Sequence, residues 1–256
     1  MALGNRRLTL NSHEKTAMIK QLLKHLYIYL LFSLPLMTGC NALFSKQPLQ
    51  TTYYSLERVQ TKLPEKFALN TMLKLPTLIV NMPKANAGFD TRRMMYTRLP
   101  HQLEYFAKNE WVDTPARMLQ PLLVSIIEKT DGFKAVLPKY SSVKSDIRLE
   151  SEIVQLIQIF NINIINKIPS NRKLNTSKPS QVQFTLRATL IDNVSNKVIA
   201  SREFDEIVDA KSDDPIGGVL AANEAVNTVL EKLSRFTQDA TFAWHMTMNE
   251  QNNGRH

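Results

Sequence analysis

VQFTLRATLID, residues 182–192, alternates along most of its length. Val182, Phe184, Leu186, Ala188 and Leu190 fall on one side, with Gln183, Thr185, Arg187 and Thr189 between them. A period of two is that of a strand with one face on a core and the other in water. Residues 193–196 then read as a turn, and residues 197–208 as the partner strand of a hairpin. Residues 147–160 (IRLESEIVQLIQIF) alternate at Ile147, Leu149, Ser151 and Ile153 and read as a second long strand, with a helix as the competing reading. Residues 161–180, rich in Asn, Lys, Ser and Pro, read as an extended loop between the two.

The shorter elements lie further out. Residues 51–56 (TTYYSL) read as a first strand, and residues 75–82 (LPTLIVNM) as a second, closed by Pro83 and the turn at residues 86–88. Residues 94–98 and 102–106 make a hairpin around Leu99-Pro100. Residues 133–137 add a strand. Two helices are announced by the same grammar, a capping residue and then a proline whose missing N–H costs nothing at the first turn. In the first, Asp113 or Thr114 precedes Pro115, Leu119, Leu122, Leu123, Ile126 and Ile127 share a face, and Gly132 is the stop. In the second, Asp213-Asp214-Pro215 precedes Ile216, Val219, Leu220, Val226, Leu230 and Leu233, and the helix runs to about Phe236 and weakly through Trp244. Long alternating strands and two helices with one apolar stripe each predict an α/β (α+β) fold: a single two-layer domain, a mainly antiparallel sheet with both helices packed on one face. It is expected over residues 51–240, followed by a loose polar tail at 241–256.

The chain has 256 residues, 43% hydrophobic and 21% charged, and only 7 glycines. Its formal net charge is +9. Five of the 32 basic residues and one of the 23 acidic ones lie in the first 39, leaving 27 against 22. Half of the excess thus belongs to the leader. The remainder suits a solvated, mildly basic surface or weak attraction to anionic headgroups. No nucleic-acid-binding pattern accompanies it.

Residues 18–40 read MIKQLLKHLYIYLLFSLPLMTGC and contain the single cysteine. Lys20 and Lys24 form a positive region, residues 26–37 an apolar one, and Thr38 and Gly39 a small-residue site. This is the layout of an export signal. Its apolar run falls short of the ~20 residues that cross a bilayer, and Pro35 ends its helical part. Residues 1–39 therefore read as a signal peptide, with Met18 an alternative start. The competing reading of Cys40 is a buried apolar cysteine in a signal anchor.

Chemistry-bearing sets are absent from the pattern. Of five histidines only His101 falls inside the expected domain, next to Pro100 in a turn. There is no zinc ligand set, P-loop or nucleophile elbow. Asp213-Asp214 could serve as a carboxylate pair, but a helix cap explains it better. The reading is non-enzymatic, with no cofactor and no metal. Tyr96, Tyr105 and Trp111 cluster before the first helix, with Met94, Met95, Phe106 and Met118 nearby. They read either as core or as a contact surface for a partner.

Met37-Thr38-Gly39-Cys40 resembles the lipobox of bacterial lipoproteins, with Met37 where leucine is usual. Together with the strand TYYSL (52–56), the block at 75–119, the hairpin at 184–204 and the Pro215-led helix, it makes the chain similar to the ABC-type transport auxiliary lipoproteins, the PqiC-like components of MCE-type lipid transport systems. The loop at 161–180 is longer than that family's usual connection. The resemblance implies that Cys40 is acylated, that residues 40–50 are a lipidated tether, and that the domain faces the periplasm from the outer membrane; Asn41, rather than aspartate, fits that membrane. It implies an MCE-domain protein, an ABC permease and an ATPase as partners, and phospholipid or another apolar molecule as cargo. A homo-oligomer stays open, as do a pilotin-like or lipopolysaccharide-assembly lipoprotein and, more remotely, an envelope hydrolase using Asp213 or His101.

Overall fold

The computed structural model describes residues 12–33, 50–57, 75–130, 132–139, 143–160 and 180–253. Cys40, most of the tether and almost all of the expected loop at 161–180 lie outside the described residues. The chain divides into two units, Met1–Gln50 and Thr51–His256. In the first, helix α1 (Ser12–Ser33) carries Lys20 and Lys24 and ends two residues before Pro35, the residue that bars further helix. Among the described residues no helix is long and apolar enough to cross a membrane.

The second unit is one mixed sheet with two helices, in the order β1 (Thr52–Tyr54), β2 (Thr77–Val80), β3 (Lys84–Ala85), β4 (Arg93–Thr97), β5 (Glu104–Trp111), α2 (Pro115–Glu128), β6 (Ala135–Pro138), β7 (Ile147–Ile159), β8 (Gln181–Asp192), β9 (Val198–Asp209) and α3 (Pro215–Asn253). The long strand β7 organises it. Along one side β7 pairs antiparallel with β8, which pairs antiparallel with β9. Along the other side it pairs in parallel with β2, then β3, then β4. β6 lies outside β2, β5 pairs antiparallel with β4, and β1 lies parallel to β5. Antiparallel ladders dominate because the longest strands make them; residues 147–160 form strand, not helix.

The alternation of β8 decides the layering. Val182, Phe184, Leu186, Ala188 and Leu190 are all buried. The facing residues of β7 follow until Ile153↔Leu186; the next pair is Gln155↔Thr185, so Val154 is an extra, unpaired residue. Such a bulge moves the following side chains to the opposite face. Leu156, paired with Phe184, and Gln158, paired with Val182, therefore point into the core. The other face of these strands is polar: Arg187 bridges Glu152 and Glu203 at 2.9 and 2.8 Å, and the Thr189 and Ser201 hydroxyls meet at 2.8 Å.

Both helices cover the apolar face. α2 contributes Leu119, Leu123 and Ile127, and α3 contributes Val226, Val229, Leu230 and Leu233, to one continuous core with Leu78, Leu149 and Phe184. Each such side chain contributes about 1.5–3 kcal/mol on burial. Thr114 is the N-cap residue of α2, but its hydroxyl makes no capping bond; the Asp113 carboxylate instead accepts the Thr114 N–H at 2.7 Å. α2 stops at Glu128, before Gly132, where the Thr130 hydroxyl donates to the Ile127 carbonyl at 2.7 Å. α3 is properly capped: Asp214 Oδ1 accepts the Gly217 N–H at 2.7 Å. α3 also continues to Asn253, through residues that read as a loose tail. After Gly218 neither glycine nor proline occurs before Gly254, so nothing in the sequence breaks it.

Candidate functional site

The hairpin β4–β5 carries the expected contact residues and separates them. Trp111 is buried, 4% exposed, and belongs to the core. Tyr96 is half-buried on the core side; its ring lies 4.5 Å from Phe106 and 5.5 Å from Phe160. Tyr105 is 48% exposed on the opposite face, since it pairs with Met95 while Tyr96 pairs with Glu104. The three therefore do not make one surface. Tyr96 and Trp111 hold the hairpin to the core, and Tyr105 alone of the three is displayed.

A polar clamp fixes the distal end of the hairpin. Glu104 accepts the Tyr96 hydroxyl at 2.9 Å and the Arg98 Nε–H at 3.0 Å, with a second Arg98 nitrogen on the same carboxylate. That pair holds the Glu104 carboxyl below its ordinary range, chiefly through the Arg98 hydrogen bond. Burial, and then donation to Glu104, raises the Tyr96 phenol. Beyond the clamp the chain turns at residues 99–102, where the Gln102 N–H donates to the Leu99 carbonyl at 3.2 Å. Pro100 presets the second position, and His101 takes the third with φ 66°, a left-handed conformation that favours glycine or asparagine. His101 is exposed in the turn, as its sequence context indicates.

Around this turn Leu99 and Leu103 are 44% and 46% exposed. The guanidinium of Arg93 stacks on Tyr105 at 4.2 Å, and that of Arg92 on Tyr53 at 5.2 Å. Tyr53 and Arg93 both pair with Glu110 and so share a face. Of these residues the sequence singled out Tyr105 as a contact candidate, but not Leu99, Leu103, Arg92 or Arg93. The available signal was two leucines at a Pro-containing turn; Leu103 is only partly covered, with its Cδ2 beside Gly88.

The candidate carboxylate pair is committed to local structure. Asp213 accepts the Ser180 N–H at 2.6 Å, and Asp214 caps α3, which lowers its carboxyl below the ordinary range through the Gly217 N–H and the Ser212 hydroxyl. Among the described residues no group of three or more His, Cys, Asp or Glu side chains could hold a metal ion. Behind the hairpin, Met94, Phe106, Trp111, Leu156, Gln158 and Gly218 enclose a cavity of about 20 Å³, far below the ~300 Å³ at which ligand pockets begin.

No family model and no curated protein matches the chain. Solved structures do. A protein from Xanthomonas campestris assigned to the DUF330 family is 20% identical, with 78% of this chain and 99% of that one aligned at a TM-score of 0.59. The fold is similar to that of this DUF330 protein. An uncharacterized protein is 13% identical over 73% of this chain and 99% of its own, with a TM-score of 0.52. The DUF330 likeness thus extends over nearly the whole of the solved chain, and concerns its fold.

Proposed function

We infer that this protein is a lipid-anchored accessory of the bacterial cell envelope, a non-enzymatic component of an MCE/ABC-type lipid transport system. The observation that carries this reading is Cys40, the single cysteine, placed after a basic region, an apolar run and Thr38-Gly39. The DUF330-like fold of the following domain supports it, since it agrees with the PqiC-like resemblance. Two or more acyl chains on one thiol make a stable anchor, each buried methylene adding about 0.8 kcal/mol. The anchor would hold the domain at the periplasmic side of the outer membrane. There it would dock an MCE-domain protein served by a permease and an ATPase. The commitment of Asp213 and Asp214 to local structure leaves the one carboxylate pair offered by the sequence outside catalysis and supports a docking role.

The test is intact mass of the protein from cells, followed by affinity capture from solubilised envelopes. The expected results are a chain starting at an acylated Cys40, and an MCE-domain protein in the captured material. A bare Cys40 with the leader still attached sinks the anchor. Capture of secretin or lipopolysaccharide-assembly components instead sinks the transport role.

A further inference from the structure

We propose that the tip of hairpin β4–β5 is a second membrane contact, in which Leu99 and Leu103 enter the headgroup boundary of an anionic bilayer while Arg93 and Tyr105 sit at headgroup level. The proposal rests on the lipid-anchored reading of Cys40, and three observations carry it.

The first is composition. Leu99 and Leu103 are about half exposed on a turn, and the Arg93–Tyr105 stack stands on the strands just behind them. An apolar tip with an aromatic and cationic collar is the chemistry of an interfacial segment. Four neighbouring carboxylates are engaged: Glu104 by Arg98 and Tyr96, Glu110 by Arg92 at 3.8 Å, Asp213 by the Ser180 N–H and Asp214 by the Gly217 N–H, while Asp90, three residues before Arg93, is exposed and makes no ion pair among the described residues. Arg93 has no carboxylate partner among the described residues, which leaves its guanidinium for a lipid phosphate.

The second is rigidity. Glu104 clamps Arg98 and Tyr96, the Thr97 hydroxyl donates to the Leu99 carbonyl at 2.7 Å, and Pro100 presets the turn. The leucines are presented on a fixed support, so little ordering opposes their transfer.

The third is direction. β1 runs parallel to β5, with Thr52 opposite Asn109 and Tyr54 opposite Trp111. β5 leads away from the turn, so the chain enters β1 from the side on which the turn lies. Cys40 is 12 residues before Thr52, a reach of at most about 40 Å. The bilayer that holds the acyl chains therefore lies within reach of the end where the leucines protrude.

The acylated Cys40 cannot take a thiol label, so one added cysteine is a unique reporter. Leu103→Cys carrying an environment-sensitive dye is compared with Val194→Cys, in the turn at the opposite end of β7, in the full acylated protein reconstituted into phosphatidylethanolamine–phosphatidylglycerol vesicles. The unsubstituted protein is carried in parallel, and intact mass reports Cys40. The expected result is a blue shift at position 103, quenched by lipids carrying a shallow spin label, with no shift at 194. Arg93→Gln should reduce the ratio of shifted to unshifted dye about fivefold, the effect of one charge at an anionic surface. An aqueous signal at 103 overturns the tip contact whatever the state of Cys40. A shifted signal at 103 on a chain with bare Cys40 keeps the tip and overturns the anchor.

Discussion

Gly218 of α3 lies directly against Gln158 of β7: a Cβ on Gly218 would stand 2.0 Å from Gln158 Oε1. Gln158 is buried, 4% exposed, and its amide donates to the Ser180 hydroxyl at 2.9 Å and to the Asp214 carbonyl at 3.3 Å. Its Oε1 has no partner among the described residues. The side chain thus ties β7 to the first turn of α3, and only glycine fits opposite it. Gly218→Ala should destabilise the domain by about 1–3 kcal/mol, the usual cost of overpacking. Gln158→Ala in the same chain should relieve that clash, so a double-mutant cycle by thermal unfolding should give a sum smaller than the two parts. Additivity would show that the two residues do not meet.

Two asparagines one turn apart hold the chain where it leaves β1. Asn223 accepts the Glu57 N–H at 2.6 Å and donates to the Ser55 carbonyl at 3.2 Å, while Asn227 donates to the Glu57 carbonyl at 3.2 Å. Asn223→Ala removes partners from two backbone groups, at about 0.5–1.5 kcal/mol per hydrogen bond. Amide exchange at Leu56 and Glu57 should quicken well beyond that of β7. Unchanged exchange there would mean that Asn223 does not hold the segment.

Trp111 and Tyr105 should behave as opposites. Trp111→Ala empties a core position and should cost about 3–5 kcal/mol of stability. Tyr105→Ala removes an exposed side chain and should stay within about 0.5 kcal/mol. Chemical denaturation measures both. A large loss at Tyr105 would place it in the packing rather than on the surface.

The β8–β9 turn should be one source of acid sensitivity. Burial alone would raise the Asp192 carboxyl, but the Ser195 hydroxyl at 2.7 Å and the Val194 and Ser195 N–H groups at 2.8 and 3.4 Å outweigh it and lower the carboxyl below its ordinary 3.8. A lowered folded-state value means stability that is complete above the unfolded value and lost as pH falls through the folded one. Asp192→Asn should therefore be less stable than the parent at pH 7, and the gap in Tm should close as pH drops below 3.8. A gap that is constant with pH would rule out the carboxylate as its source.

Much of the architecture is legible in local patterns. The alternation of residues 182–192 marks β8 and its buried face, and Pro115 and Pro215 mark the helix starts. What escapes is set by partners distant in sequence. The alternation of β7 carries no mark of the bulge at Val154, because the jump from Leu186 to Thr185 exists only in the pairing. The division of Tyr96, Tyr105 and Trp111 between core and surface follows from the irregular register of β4 and β5. The helical tail of α3 was obscured by its polarity, although residues up to Thr241 are buried.

The sequence by itself determined the element types, the two-layer plan and the candidate anchor at Cys40, because periodicity, caps and a cysteine behind an apolar run act through near neighbours along the chain. Only the tertiary structure decided which aromatic residues are displayed, why Gly218 must lack a side chain, and that β1 is entered from the side of the leucine-bearing turn. Those facts depend on strand register and on close approach between residues dozens of positions apart. No local pattern encodes them.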